Sequence, residues 1–189
     1  MQKMQKIKIV ALIGEAGSGK DFLLRCAREQ YPEFHEIISC TTRPKRMGEV
    51  EGRNYYFLEN QSFIDKVANL EMLEYTEFND WYYGTMLSAL KPDQVNIGVF
   101  NPAGIKRLLK REDIDLKVFY VRAPAKTRLM RQLQREDDPN VDEVVRRYQT
   151  DKADFETLPF EYISLNNITQ SDVTKAMELI GQERLVNLA

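Results

Sequence analysis

The 189-residue chain has a single histidine, His35, and only two cysteines, Cys26 and Cys40. Two thiols cannot furnish a four-ligand zinc site, and their spacing matches no disulfide framework. Both stand in apolar or strand-like context, so both read as buried free thiols. No apolar run approaches the ~18 residues that a membrane span needs. The start, MQKMQKIKIV, lacks a long apolar stretch followed by a small-residue cleavage site, so cytoplasmic residence is the expectation. An excess of one charge is missing too. With 27 basic and 29 acidic residues the net charge is -2, whereas a nucleic-acid or membrane-surface partner would favour a basic excess. Internal repeats and low-complexity linkers are also absent.

What is present is ordinary globular material, 43% hydrophobic and 30% charged, at about the length of one compact domain. Such a domain buries roughly 70% of its unfolded surface, enough for a full core. Residues 7–13 form a β-branched run without strict alternation, the pattern of a strand buried on both faces. A glycine-rich turn follows, then an amphipathic helix over 21–30 with Phe22, Leu23, Cys26 and Ala27 on one face, stopped by Pro32. Further strands are expected at 36–40, 55–58, 72–78, 95–100, 116–121 and 162–165. Helices are expected at 61–70, 101–110, 124–135, 141–157 and 171–188. The alternation predicts an α/β fold with a central, mainly parallel sheet. Residues 36–85 read as a small α+β insertion, and 123–158 as a helical lid carrying Arg128, Arg131, Arg135, Arg146 and Arg147. Residues 1–35, 86–122 and 159–189 form the core.

The turn is Gly14-Glu15-Ala16-Gly17-Ser18-Gly19-Lys20-Asp21, which matches the P-loop pattern G-x-x-x-x-G-K-[ST] except at its last position. Glycines let backbone N–H groups turn inward around phosphates, and the following helix adds its positive end. Lys20 places a point charge at the β/γ-phosphate oxygens. Strand, glycine loop and helix in succession make the match strong. Asp21 replaces the usual hydroxyl that binds Mg²⁺, and a carboxylate is also a hard oxygen ligand.

Two longer segments resemble guanylate kinases: SCTTRPKRMGEVEGRNYYF (39–57) and LEYTEFNDWYYGT (73–85). The resemblance extends over nearly the whole chain and implies transfer of the γ-phosphoryl of ATP to GMP, or to dGMP, with Mg²⁺. It implies that Arg43 and Arg46 grip the GMP phosphate with Tyr55 and Tyr83. A dianionic phosphate favours such forked arginine and hydroxyl donors. Ser39, Glu74 and Thr85 resemble the residues that read guanine, whose adjacent N1–H and N2–H₂ donors suit a carboxylate. Glu49 resembles a glutamate that supports the loop by pairing with an arginine. Arg131, Arg135 and Arg147 resemble lid arginines that fold over the phosphates, and Asn166 resembles a position beside the adenine.

One run departs from the family. Its usual D-x-D-x-Q-G is VFNPAG here, so Val99 and Asn101 stand where two acids would. Asn101 keeps an acceptor for the GMP site but loses a charge. The rival readings are a kinase for another purine monophosphate and a binding module of the same fold without catalysis. Lys20 and the lid arginines favour an enzyme.

Overall fold

A computed structural model describes residues 6–78, 80–134 and 139–184. In chain order the first elements are β1 (Ile7–Ile13), α1 (Lys20–Gln30), β2 (Phe34–Glu36), β3 (Cys40–Thr41), β4 (Tyr56–Phe57), α2 (Asn60–Ala68), β5 (Met72–Phe78) and β6 (Trp81–Met86). Then come β7 (Val95–Val99), α3 (Pro102–Leu108), β8 (Ile114–Arg122), α4 (Ala125–Leu133), α5 (Val141–Asp154), β9 (Ile163–Asn166) and α6 (Gln170–Gly181).

β1 explains the architecture. Successive side chains on a strand point to opposite faces, so a strand inside a covered sheet buries both sets. Val10 and Leu12 pack with Leu23, Leu24 and Ala27 of α1 and with Ala176, Met177 and Ile180 of α6. Ile9, Ala11 and Ile13 pack on the other side with Ile105 and Leu108 of α3. The sheet order is β2-β7-β1-β8-β9, with every pairing parallel, so helices cover both faces. A second, mixed sheet has the order β4-β3-β6-β5. It carries the segments that resemble an acceptor site.

Several boundaries move. The strand expected at 36–40 is split between the sheets. Ile37 still donates its N–H to Ile97 O at 2.8 Å beside β2, whereas Cys40 already pairs with Gly84 in the second sheet. The expected 61–70 helix ends at Ala68, because Leu70 sits in the left-handed region at φ 58° and is 82% exposed. Phe22 is 40% exposed, and Leu24 takes its place on the buried face of α1. Cys40 is buried, but Cys26 is only partly so. β6 continues β5 as an antiparallel hairpin that the alternation left unmarked.

Leu12 is fully buried between β1 and the α1 layer, whereas Leu109, after α3, is 52% exposed. Leu12→Ala is expected to lower unfolding stability by about 3 kcal/mol through lost burial and a residual cavity. Leu109→Ala should change it by less than about 0.5 kcal/mol. Urea unfolding midpoints of the two variants check the contrast.

Candidate active site

The loop between β1 and α1 is held by its carbonyls. Lys20 Nζ donates to Gly14 O at 2.6 Å and to Glu15 O at 3.2 Å. Gln132 Nε2 reaches Ala16 O at 3.4 Å, and Arg131 Nη1 reaches Gly17 O and Ser18 O at 3.3 and 3.2 Å. Asn167 Nδ2 donates to Ser18 O at 2.9 Å. Gly17, at φ 79°, lets Arg128 of α4 press its backbone against the loop, where a Cβ would collide. Gly19, at φ 90°, likewise leaves room for Asn167.

α4 adds a charge pair at the same place. Arg128 Nη2 lies 3.2 Å from Glu15 Oε1, while Tyr120 donates its hydroxyl to Glu15 Oε2 at 3.0 Å. Arg128 is 7% exposed, and its guanidinium stands 5.4 Å from the Tyr148 ring centre on α5. α5 also touches the loop directly: Ala16 N donates to Asp151 Oδ2 at 2.5 Å.

Beside the loop, Gly19, Phe22, Arg131, Asn167 and Ile168 line an open cavity of about 400 Å³. Asn166, expected beside the adenine, is exposed at the end of β9. Its buried neighbour Asn167 faces the loop instead.

In the second sheet, Arg43 is 4% exposed and paired. Its Nη2 donates to Glu49 Oε1 and Oε2 at 2.7 and 3.0 Å, and its Nη1 donates to Pro44 O at 2.6 Å. Glu49 also accepts from Arg46 N at 2.8 Å, which closes the 43–49 turn around one carboxylate. Burial alone would disfavour both charges, but the bond between them outweighs it, so Arg43 is raised and Glu49 held below the usual carboxylate range. The Arg43 guanidinium stands 5.7 Å from the Tyr55 ring centre and 5.8 Å from that of Phe57. The Tyr55 and Tyr83 rings meet edge-on at 6.3 Å. Burial, then the nearby Asp21 carboxylate, pushes the Tyr55 phenol up to about 12, so it stays a hydroxyl donor. Tyr83 is raised by burial, against the pull of Arg43 and Arg46. The influence of Asp21, in the first turn of α1, on Tyr55 brings the second sheet near the end of the loop.

Glu74 and Thr85 are cross-strand partners on β5 and β6, 7% and 0% exposed. Burial lifts the Glu74 carboxyl to about 7, opposed by Thr85 and by Arg107. Thr85 Oγ1 makes no hydrogen bond of ordinary geometry among the described residues. Glu74 rests on the start of α3, where a Cβ on Gly104 would stand 2.7 Å from Glu74 Oε2. Asn101 caps that helix, its Oδ1 accepting from Gly104 N at 2.7 Å. One lone pair of its oxygen is thus engaged by the helix, and its amide N–H₂ remains for a ligand. Ser39 is half-buried on the link between the sheets, its carbonyl accepting from Tyr56 N at 2.9 Å.

On α5, Glu143 holds two arginines. Arg146 donates through Nε and Nη2 at 2.8 and 2.9 Å, and Arg147 through Nε at 2.7 Å. Arg146 reaches the acceptor sheet, 5.2 Å from the Phe78 ring centre and within the field of Tyr83. Arg147, the residue singled out by resemblance, is tied to Glu143 one position further round the helix. Arg135 lies outside the described residues.

No group of three or more His, Cys, Asp or Glu side chains converges to hold a metal among the described residues. Mg²⁺ does not require such a cage, since it keeps waters and takes one or two carboxylates with substrate phosphates. Asp21, exposed in the first turn of α1 beside Lys20, fits that donor set. No described helix is long and apolar enough to cross a membrane.

Asp151, Asn167, Arg107 and Gly104 went unread in the sequence, and Arg128 was read only as one more lid arginine, not as the partner of Glu15. Only Gly104 left a local trace there, a glycine in the first turn after an Asn-Pro helix start. Glu49→Ala would strand the buried Arg43 charge and is expected to cost about 3 kcal/mol of stability at pH 7. Glu49 is depressed in the fold, so its contribution is present above the unfolded carboxylate range near 4.5 and lost as pH falls through the lower folded value. Denaturation measured from pH 7 to pH 3 should therefore show the gap between variant and parent closing.

A family model for guanylate kinase matches residues 6–183. A guanylate kinase from a Synechococcus strain is 45% identical over 91 residues, covering 48% of this chain and 49% of that protein. The chain thus spans about half the length of that relative. Another, from Carboxydothermus hydrogenoformans, is 28% identical over 187 residues, covering 96% of this chain and 91% of that protein. The crystal structure of guanylate kinase from Anaplasma phagocytophilum superposes with a TM-score of 0.68 at 18% identity, covering 98% of this chain and 91% of that one, which establishes the shared fold. With nearly its whole length matched, the chain belongs to the guanylate kinase family.

Proposed function

We propose that this chain is an ATP-dependent kinase for GMP or dGMP. The observation that carries the reading is Glu74, a buried carboxylate set between Thr85 and the start of α3 in a chain that also has a P-loop with Lys20. Guanine offers two adjacent N–H donors that one carboxylate can accept, and an O6 that the Thr85 hydroxyl can reach. Adenine lacks that pattern and would leave Glu74 unpaired, an error that can cost a factor of ~10⁴.

The acceptor phosphate meets Arg43, Arg46, Tyr55 and Tyr83, with Glu49 fixing the arginine. Ser39 and the Asn101 amide complete the guanine side. The donor phosphates lie along the N–H groups of Gly14–Asp21, with the adenosine end in the cavity by Arg131 and Asn167. Asp21 would hold Mg²⁺, which would neutralise charge on the phosphates. Phosphoryl transfer needs no covalent intermediate on the protein. Arg131 holds the loop carbonyls from the adenosine side, while Lys20, Arg43 and Arg147 supply positive charge around the transferred group. Arg146 joins them, because it stands between α5 and the acceptor sheet. Such a setting, with abundant ATP and thiols kept reduced, suits the cytoplasm.

Lys20→Ala should lower kcat by about 10²–10³-fold with the fold retained, as the electrostatic role requires. Parent-like turnover would contradict that assignment. Glu74→Gln should raise KM for GMP strongly and leave KM for ATP unchanged. In the parent protein, GMP affinity should fall as pH drops through about 7, because a protonated Glu74 presents a donor to guanine's donors. Initial rates against pH at fixed ATP check the sign.

A further inference from the structure

The donor loop meets an anion of its own chain. Asp151, in the last turn of α5, accepts the Ala16 N–H at 2.5 Å across 135 positions of sequence. Ala16 lies within the turn whose N–H groups would receive the donor phosphates. The loop carbonyls are taken up by Lys20, Gln132, Arg131 and Asn167, and Ser18 N–H is spent on Glu15 O, so the other loop N–H groups are the face left for a ligand. The same helix holds its position by a second contact, since Tyr148 packs under Arg128, which pairs with Glu15. Lys20 and Arg128 lie within the field of the Asp151 carboxylate, which otherwise shares its surroundings with the like-charged Glu15.

We infer that Asp151 competes inside the chain for the place of a donor phosphate, so that ATP binds fully only when this carboxylate leaves Ala16. The inference rests on the donor-site reading above. Carboxylate and phosphate oxygens need the same N–H donor, and two anions cannot share it without strong repulsion. A protein whose competent state is a minority binds its ligand more weakly by that fraction. Asp151 therefore tunes the affinity for the donor nucleotide and leaves the acceptor site alone. It is a positioning residue for α5 on the loop.

Calorimetry of ATP without acceptor, on the parent protein, Asp151→Asn and Asp151→Ala, tests this. Asp151→Ala should bind ATP about tenfold more tightly, the gain expected where about a tenth of the parent is competent. Asp151→Asn, which keeps the bulk and one acceptor, should fall between. GMP affinity should stay within about twofold, a split that a merely structural contact would not produce. ATP binding in the parent with no gain, or a loss, in Asp151→Ala overturns the competition and spares the donor-site reading. Absence of ATP binding in all the proteins overturns both. The parent protein alone gives a second test that needs no variant to fold. The ¹³C resonance of the Asp151 carboxylate should shift when ATP is added, and an unmoved resonance overturns the inference.

Discussion

The P-loop side of this protein depends on where one loop sends its carbonyls. A polypeptide turning from a buried strand into a helix exposes backbone donors and acceptors that must all be satisfied. Between Gly14 and Gly19 the carbonyls are met by Lys20, Gln132, Arg131 and Asn167. With the acceptors occupied, the N–H groups form an anion-seeking surface at the positive end of α1. The contacts come from α1, α4 and the residue after β9, so the loop is shaped by elements far from it in sequence. β1, buried on both faces, anchors the start of the loop rigidly in the sheet.

The second sheet solves a different problem, that of holding a buried cation. Arg43 is almost inaccessible, and an unpaired guanidinium there would be costly. Glu49 neutralises it and draws the Arg46 amide into the same turn. Tyr55 and Phe57 flank the guanidinium. If Arg43 receives the acceptor phosphate as proposed, recognition would need little rearrangement, because the arginine is already oriented. Glu74 is tuned in the opposite sense. Among the described residues it has no salt-bridge partner, so burial dominates and lifts its carboxyl to about 7.

The features legible in the sequence were local ones. The β-branched run before Gly14, the P-loop spacing and the Arg43–Tyr55 segment each declare themselves within a few residues. What stayed unread depends on distance. Asp151 and Ala16 are 135 positions apart, and nothing around Asp151 marks it among the other charges of an amphipathic helix. Arg128 read as one more lid arginine, yet it lies buried against Glu15. Asn166 and Asn167 are adjacent and chemically identical, and only the path of β9 decides which one faces the loop. Phe22 fitted the helical period, but α1 turns its buried face toward Leu24 instead. Asn101 looked like a weakened acid until the start of α3 showed it capping Gly104.

The central claim is that one buried carboxylate, Glu74, set between Thr85 and the start of α3, selects guanine as the acceptor base. The most direct measurement follows phosphorus by ³¹P NMR while the protein, ATP and Mg²⁺ are given GMP and AMP together. The account predicts that the β-phosphorus of GDP accumulates with ADP while AMP is spared, with selectivity on the order of 10⁴. Comparable consumption of AMP, or loss of ATP without any new diphosphate of guanosine, would contradict it.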